Sequence, residues 1–282
     1  MAYDVSSEKL EHPLMKSLLD ELIPIFKKLE IKFFVIGATA RDIIMELHGE
    51  KSGRSTKDID IAIAVEKWEE FETIESEILK LSNFKKDTIQ QQRFFYLNDI
   101  MLDIVPYGGI ANEKDKIFWP PDQTFAMTVL GFKEAEGDLI DVTIDGDTPI
   151  KVISLTGIFV LKIFAWLDRH KKGNKDAEDI GFILSNYLSV NQERAVDEHY
   201  DKVYDIENFT ISKAGAVLLG IDLNELLSAN RATRLRIKSI IERELEQPET
   251  SILFFQLIQT NNIKIEEAIE SFQLFLQQIN ND

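Results

Sequence analysis

The hydrophobic pattern of this chain changes near residue 150, and this change limits the folds that the chain can adopt. Before that point, strand-like alternation is interspersed with helical periodicity, whereas from residue 154 onward the strong patterns are helical. We therefore predict an α+β protein with two domains. Residues 1–150 would carry a mixed sheet with flanking helices, and residues 151–282 would form a helical domain.

Glycines and short polar stretches divide the first half into predicted elements. Helical spacing of apolar residues predicts helices, and β-branched or alternating runs predict strands. In chain order these are a helix over 14–28, a strand over 32–36, a helix over 39–48, a loop over 49–57, a strand over 58–65, a helix over 66–81 and strands over 93–97 and 100–107.

Beyond residue 109 the sequence predicts an irregular stretch, one hairpin and then helices alone. The hairpin would pair residues 128–132 with residues 139–144, and the Asp-Gly-Asp that follows at 145–147 is interpreted as a solvated turn. The predicted helices of the second half cover 154–170, 175–187, 191–204, 211–218, 223–244, 250–260 and 264–279.

Charge and composition argue against several classes of protein. A net charge of -17 disfavours nonspecific coating of nucleic acid, although a local basic cluster can still contact a few phosphates. The absence of cysteine excludes disulfides and thiolate metal sites, and the four histidines lack zinc-ligand spacing. No secretory signal is visible, and the most apolar stretch, 157–167, is too short to span a bilayer, so we expect a soluble cytoplasmic protein without membrane partners.

Two aspartates occupy the strand predicted over 58–65. Because side chains alternate between the two faces of a strand, the isoleucines that follow each aspartate share one face, and Asp58 and Asp60 project together from the other. Adjacent carboxylates repel each other unless a cation lies between them, and Mg²⁺ prefers such oxygen ligands together with substrate phosphates. The pair is a candidate metal site, although the same spacing recurs in the turn at 145–147.

Asp103 is a lone carboxylate within the apolar strand predicted over 100–107. An unpaired buried charge costs several kcal/mol, so a partner is expected. One interpretation is an ion pair with Arg93 or a position at a sheet edge. The other places Asp103 on a strand beside Asp58 and Asp60, as the third ligand of the metal.

Gly37 separates a predicted strand from a predicted helix within residues 34–42. A helix that begins at such a turn directs free backbone N–H groups and the positive end of its dipole at any anion in front of it, and a triphosphate would suit this position. An ordinary strand-to-helix turn has the same pattern.

In chain order, the glycine turn with Arg41, the Asp58 and Asp60 pair, and Asp103 on a later strand resemble the nucleotidyltransferase superfamily that includes polymerase β-like and CCA-adding enzymes. The resemblance implies that residues 1–150 form a polymerase β-like nucleotidyltransferase domain with a mixed sheet and flanking helices.

Three charged residues of the helical half have two interpretations each. Lys162 is the only charge within 157–167, and it is either a lysine that snorkels from a core helix or a phosphate-binding ammonium facing the cleft between the domains. Asp176 and Asp179 share a helix face, but acidic residues in a first helical turn are also favoured by the helix dipole alone.

The complete set of motifs resembles the AbiEii/AbiGii toxin family of nucleotidyltransferases. The set consists of G-A-x-x-R-D at 37–42, D-x-D at 58–60, K-x-x-A-x-x-x-R at 162–169 and K-D-x-x-D at 175–179, and the resemblance runs from about residue 20 to about residue 187. It implies a bilobed fold, a nucleoside triphosphate substrate with Mg²⁺ as cofactor, nucleotide transfer to tRNA or another RNA, and a role as the toxin of a toxin–antitoxin or abortive-infection system with an antitoxin partner.

Carried over by matching positions, the resemblance implies that Asp58 and Asp60 bind metal, that Lys162 contacts phosphate and that Asp176 acts in or beside the active site. The interpretation of the motifs adds the other candidates. The predicted metal ligands are Asp58, Asp60 and Asp103, the predicted catalytic residues are these three with Asp176, and the predicted nucleotide-binding residues are Gly37, Ala38, Thr39, Arg41, Lys162 and Asp179. Ala38 departs from the Gly-Ser or Gly-Gly of the family. A serine hydroxyl contact to phosphate would be lost unless Thr39 supplies one.

The acceptor is the least constrained part of the prediction. Two basic clusters are candidates for holding an RNA backbone or are solvated helix faces, namely Arg169, Lys171, Lys172 and Lys175, and Arg231, Arg234, Arg236, Lys238 and Arg243. Two other functions stay open. One is nucleotidyl transfer to a small molecule such as an antibiotic hydroxyl, and the other is a nucleotide- or partner-binding module without turnover, which the departure at Ala38 would fit.

Overall fold

The computed structural model describes residues 3–121, 123 and 126–280. Its contacts divide the chain into two compact units, Met1–Ser154 and Leu155–Asp282. Seven residues lie outside the described ones. They are residues 1 and 2 at the start of the first predicted domain, residues 122, 124 and 125 of the predicted irregular stretch, and residues 281 and 282 at the end of the second predicted domain. The prediction that residues 1–150 form the nucleotidyltransferase domain stays a prediction.

The first unit combines strands with flanking helices, as the sequence predicts. Its strands are β1 (Tyr3–Val5), β2 (Phe33–Ile36), β3 (Asp58–Ala64), β4 (Phe84–Lys86), β5 (Arg93–Tyr96), β6 (Ile100–Tyr107), β7 (Lys116–Phe118), β8 (Ala126–Thr128), β9 (Leu139–Ile144) and β10 (Thr148–Ile153). Its helices are α1 (Met15–Lys28), α2 (Gly37–Leu47), α3 (Trp68–Ile78) and α4 (Phe132–Ala135). The elements predicted between residues 14 and 107 are confirmed apart from their end residues.

A mixed sheet of eight strands, in the order β1-β9-β10-β2-β3-β6-β5-β4, forms the centre of the described part of this unit. β3 runs antiparallel to β2 and parallel to β6. The side chains of Ile59, Ile61 and Ile63 are fully buried, because the alternation of β3 sends them to the apolar face. This burial holds β3 at the centre and leaves its aspartates on the opposite face.

The predicted hairpin between 128–132 and 139–144 is wrong. β9 pairs instead with β10, and β8 pairs with β7. The turn between β9 and β10 contains Asp145 and Gly146 with φ of 51° and 74°, and consecutive positive φ angles suit the twist of a tight hairpin. The Asp-Gly-Asp at 145–147 is therefore the exposed turn that the sequence predicts, and this turn sets the pairing.

Short strands at the margins of the sheet were missed by the sequence reasoning. β1 and β4 have three residues each, which is too short for an alternation to be recognised. β1 pairs in parallel with β9, whose sequence is far away along the chain. Such strands form because a neighbouring strand offers hydrogen-bonding partners.

The second unit is helical, and its described residues 155–280 form seven α-helices. They are α5 (Leu155–Arg169), α6 (Lys175–Val190), α7 (Gln192–Tyr204), α8 (Ile211–Leu226), α9 (Arg231–Glu246), α10 (Ile252–Thr260) and α11 (Ile265–Gln277). α8 is buried over nearly its whole length and packs against α6 and α11.

The predicted break between helices at 219–222 is wrong, because α8 continues through Gly220. A Cβ at Gly220 would lie 2.7 Å from the carbonyl oxygen of Phe275 in α11, so glycine here permits close helix packing. The chain breaks instead before Asn230, whose side chain accepts a hydrogen bond from the backbone N–H of Thr233 and caps α9.

None of the helices in the described part of the chain combines the length and apolar character needed to cross a membrane.

Candidate active site

The three aspartates singled out in the sequence come together on one face of the sheet. In the parallel pairing of β3 and β6, Asp60 lies opposite Asp103, and Asp58 precedes Asp60 by one alternation on the same face. Each of the three offers a carboxylate oxygen, and these oxygens lie within 4.8 Å of one another. Asp103 is 7% exposed, so its charge is largely removed from solvent.

The donor set of this group fits a hard divalent cation. All three ligand atoms are carboxylate oxygens, the type that Mg²⁺ accepts along with substrate phosphates and water. Among the described residues it is the one group in which three acidic or histidine side chains bring ligand atoms this close. A cation between them would relieve the repulsion of three adjacent negative charges.

Arg93 supplies the positive charge that the protein itself places at this group. Its guanidinium donates two hydrogen bonds of 2.8 Å to the carboxylate of Asp103, and its Nη2 lies 3.5 Å from Oδ2 of Asp58. The hydrogen bonds to Asp103 raise the pKa of Arg93. The structure thus combines both placements left open for Asp103, the ion pair and the position beside the other aspartates.

Gly37 brings the start of α2 against the carboxylates. Its φ is +68°, and a Cβ there would lie 2.4 Å from Oδ2 of Asp60, so no larger residue fits without displacement. The amino-terminal end of α2 therefore lies next to Asp60. This is the position predicted for an anion-binding turn, and Ala38 follows it as a buried residue.

Two threonine hydroxyls position Asp58. Thr39 donates a 3.1 Å hydrogen bond to the backbone carbonyl oxygen of Asp58, and Thr56 donates one to its carboxylate oxygen Oδ1. The hydroxyl hydrogen of Thr39 is thus directed at the protein, and its predicted contact with phosphate stays a prediction. Thr56 was missed, although its place two residues before Asp58 in an otherwise charged loop was a signal.

Arg41 is buried, with 1% of its surface exposed. Its Nε donates to Oδ1 of Asp42 at 2.9 Å, and its Nη2 donates to the carbonyl oxygen of Arg54 at 2.8 Å. These bonds attach the loop before β3 to α2. The nucleotide contact predicted for Arg41 stays a prediction, and in this arrangement the side chain stabilises the loop that leads to Asp58.

A small cleft opens beside α2. The cleft is lined by residues before α1, by the first residue of α1, by residues of α2 and by the loop after α2. They are Lys9, Leu10, Glu11, His12, Met15, Thr39, Asp42, Ile43, Glu46, Glu50 and Ser52. Burial lowers the pKa of His12, and the negative charges of Glu11 and Asp58 act in the opposite direction. No motif in the sequence indicated this histidine.

In the second unit, the predicted nucleotide-binding and catalytic residues lie in a charge cluster between α5 and α6, in which Asp176 and Asp179 are buried. Nζ of Lys162 lies 2.5 Å from Oδ2 of Asp179 and 3.3 Å from Oδ1 of Asp176. Arg169 donates two hydrogen bonds, of 2.7 and 2.8 Å, to the carboxylate of Asp176. The cluster contains two cations and two anions, so it is balanced in charge.

Electrostatic attraction outweighs desolvation in this cluster. Burial acts to lower the pKa of Lys162, but the charges of Asp179 and Asp176 raise it above its ordinary value. Burial acts to raise the pKa of Asp176, but the hydrogen bond from Arg169 and the charge of Lys162 lower it. Lys162 and Asp176 are therefore charged near neutral pH. Their roles toward a nucleotide stay predictions.

The two basic clusters differ in their exposure. Lys171, Lys172 and Lys175 are exposed between α5 and the first turn of α6. In α9, however, Arg234 is 5% exposed and donates a hydrogen bond to Asn224, so it is part of the helical core and not of a phosphate-binding face. Arg231, Arg236 and Arg243 of the second cluster are exposed, so contact of either cluster with RNA stays a prediction.

Comparison with protein families finds one match, and comparison with curated protein sequences finds none. A family model described as "Nucleotidyl transferase AbiEii toxin, Type IV TA system" matches residues 25–251. No curated protein sequence matches the chain.

Similar solved structures are distant. A crystal structure of ANT(2")-Ia in complex with adenylyl-2"-tobramycin has 14% identity and a TM-score of 0.38, covering 65% of this chain and 91% of that chain. An antigenic nucleotidyltransferase-like protein from Paracoccidioides brasiliensis has 16% identity and a TM-score of 0.40, covering 70% and 91%. The CdnE cyclic dinucleotide synthase of Elizabethkingia meningoseptica, with GTP and Apcpp, has 13% identity and a TM-score of 0.29, covering 97% and 93%.

The family match extends over most of the chain, from before β2 to the start of α10, and it includes every predicted site residue. This chain belongs to the AbiEii family of nucleotidyl transferase toxins of type IV toxin–antitoxin systems.

Proposed function

We propose that this nucleotidyltransferase uses Mg²⁺ to transfer a nucleoside monophosphate from a nucleoside triphosphate to a hydroxyl group of an RNA, with tRNA as the expected acceptor. The observation that carries the proposal is the convergence of Asp58, Asp60 and Asp103 within 4.8 Å, next to the glycine turn at the start of α2. Such a group suits a phosphate-bound divalent ion, because the single positive charge of Arg93 balances only one of the three negative charges.

Each part of the site has a role in this proposal. Asp58, Asp60 and Asp103 would hold the Mg²⁺, which supplies charge neutralisation for the triphosphate. The backbone N–H groups at Gly37 and Ala38 would orient phosphate oxygens at the amino-terminal end of α2. Arg93 keeps the carboxylate of Asp103 in place through its two hydrogen bonds.

The chemistry is an in-line substitution at the α-phosphorus. The acceptor hydroxyl oxygen forms a bond to this phosphorus, and the bond to the pyrophosphate oxygen breaks, so that pyrophosphate leaves. A carboxylate beside the reacting group can accept the hydroxyl proton, and Asp103 is our candidate. Lys162 would contact phosphate, and Asp176 and Asp179 keep it charged through their ion pairs.

The exposed lysines of the second unit support RNA as the acceptor. Lys171, Lys172 and Lys175 lie within a few residues of Asp176, in a chain whose net charge of -17 would otherwise repel a polyanion. A short basic segment of this kind provides a local contact for a phosphate backbone. The proposed biological role is that of a toxin, whose partner would be an antitoxin.

A labelling experiment tests the proposal. The protein is incubated with each α-labelled nucleoside triphosphate and Mg²⁺, together with total tRNA or with small molecules that carry hydroxyl and amino groups. We expect label in tRNA and release of pyrophosphate. If only a small molecule becomes labelled, the acceptor is that small molecule and not RNA. If the protein binds triphosphate but transfers label to no acceptor, the result favours a binding module without turnover.

Matched variants make the experiment specific. Asp60→Ala should lower transfer at least about 100-fold, which is about 2.7 kcal/mol of activation free energy. Asp147→Ala, in the second Asp-x-Asp of the chain, removes an exposed carboxylate of the β9–β10 turn and should leave transfer unchanged. Equal activity of the two variants would contradict the assignment of the metal site.

A further inference from the structure

The cleft beside α2 has a wall that the family match does not include. Residues Lys9, Glu11 and His12 precede residue 25, where the match begins. This segment is attached to α2 by an ion pair of 2.6 Å between Nζ of Lys9 and Oε1 of Glu46. This segment is therefore part of the described fold of the chain, although it lies outside residues 25–251, which the family model matches.

His12 is the unusual residue of the cleft. It is 8% exposed, and its Nε2 is buried without a hydrogen-bond partner among the described residues. A buried polar nitrogen without a partner is unfavourable in free energy, and such atoms are uncommon in folded proteins. A polar group of a ligand in the cleft would remove this cost.

The charges of the cleft indicate the type of ligand. Glu11, Asp42, Glu46 and Glu50 line it, with Lys9 as the one basic residue. Negative side chains repel phosphates but accept hydrogen bonds from hydroxyl and amino groups. They are not a second metal site, because among the described residues three ligand atoms converge only at Asp58, Asp60 and Asp103. The lining therefore fits a ligand group that has several hydrogen-bond donors and no negative charge.

The cleft is joined to the carboxylates through one side chain. Thr39 lines the cleft, and its hydroxyl donates to the backbone carbonyl oxygen of Asp58 at 3.1 Å. A ligand in the cleft would thus lie next to the strand end that carries the proposed metal site, with its donors toward the acidic wall.

We infer that this cleft binds the nucleoside part of the triphosphate, and that His12 contacts its hydroxyl or amino groups through Nε2. The inference rests on the proposed function, since it assumes that the phosphates are held at the carboxylates and at Gly37. It adds a specificity-determining residue that lies outside the family match. The triphosphate would then be divided between two environments, its phosphates at the glycine turn and its sugar and base at the acidic cleft.

Binding measurements with two ligands test the inference. Affinities for each nucleoside triphosphate and for inorganic tripolyphosphate are measured by calorimetry with Mg²⁺, for the wild type and for the variants His12→Leu, His12→Gln and His48→Leu. Gln can place an amide near the position of Nε2, and His48 is an exposed histidine of the same unit that does not line the cleft. All variants are first compared by thermal denaturation.

We expect His12→Leu to weaken binding of the preferred nucleoside triphosphate about tenfold, to leave tripolyphosphate binding unchanged, and to be largely rescued in His12→Gln. His48→Leu should bind like the wild type. Unchanged nucleotide affinity in His12→Leu, or an equal loss for tripolyphosphate, would overturn the inference while leaving the proposed function intact. A wild type that binds neither ligand would overturn both.

A measurement on the wild type covers the case in which His12→Leu does not fold. The chain has four histidines, so their ring resonances can be followed by NMR in isotope-labelled protein and assigned with His12→Gln. The ring resonances of His12 should shift with the nucleoside triphosphate and not with tripolyphosphate. Identical spectra with the two ligands would contradict the contact.

Discussion

Replacing Arg93 with methionine would test the electrostatics of the carboxylate group without removing any carboxylate. The guanidinium makes two hydrogen bonds of 2.8 Å to Asp103 and approaches Asp58 at 3.5 Å. Methionine keeps most of the aliphatic length but removes the charge. In the variant, three carboxylates within 4.8 Å would face one another without this cation.

The expected loss of stability follows from the geometry. Two unit charges about 4 Å apart attract each other by about 4 kcal/mol at an effective dielectric constant of 20. Desolvation of the guanidinium, which is 21% exposed, offsets part of this, so the net loss should be about 2–3 kcal/mol. For a unit of about 150 residues, this corresponds to a decrease in Tm of about 4–12 °C.

Thermal denaturation with EDTA and with Mg²⁺ distinguishes the causes of this loss. In EDTA the variant should show the full decrease in Tm. Saturating Mg²⁺ should restore at least about half of it, because an ion that binds only the folded protein stabilises that state and because the more negative site binds the ion more tightly.

The matched control is Lys151→Met, which removes an exposed lysine of the same sheet that is paired with Asp141. It should change Tm little in either condition, since exposed ion pairs contribute about 0–1 kcal/mol. The electrostatic reasoning is refuted if Arg93→Met has the Tm of the wild type in EDTA. It is also refuted if Mg²⁺ raises the Tm of Arg93→Met and of the wild type equally.

Three further predictions concern other parts of the chain. Gly37→Ala places a methyl group against Asp60 at a positive φ; it should lower the free energy of unfolding by at least about 1 kcal/mol in chemical denaturation and weaken Mg²⁺ binding in calorimetry, and normal values of both would contradict the close approach. Lys162→Met removes the cation that is paired with the buried carboxylate of Asp179 and should cost about 3 kcal/mol in urea unfolding, whereas the exposed Lys175→Met should cost little. Hydrogen bonds from Lys28 and Lys80 lower the pKa of Glu77 from 4.5 to about 2, so the stabilisation by its carboxylate is present above about pH 4.5 and is lost as the pH falls toward 2. The difference in Tm between the wild type and Glu77→Gln should therefore vanish as the pH falls over that range. A difference in Tm that stays constant would contradict this.

The sequence pattern predicted β3 and the turn at Gly37 correctly, because residues close together along the chain determine both. In β3, strict alternation sends three isoleucines to the buried face, and this alone places Asp58 and Asp60 together on the other. Gly37 punctuates the chain between β2 and α2 in the same local way. These features needed no knowledge of distant residues.

Elements that depend on distant partners were predicted wrongly or missed. Gly220 indicated a helix break, but α8 continues there because a glycine permits close packing against Phe275. Arg234 belonged to a basic run in the sequence, but the fold buries it beside Asn224. Propensity and charge patterns cannot register such contacts, because the partner lies elsewhere along the chain.

The sequence by itself determined that two carboxylates share a strand face, that a glycine turn precedes them and that a helical half follows. Only the tertiary structure decided that Asp103 lies opposite Asp60, that Arg93 holds it, and that His12 enters a cleft with an unpartnered nitrogen. The reason is physical: side-chain direction along one strand follows from its two-residue period, whereas the register between strands and the docking of a distant segment depend on how whole elements pack.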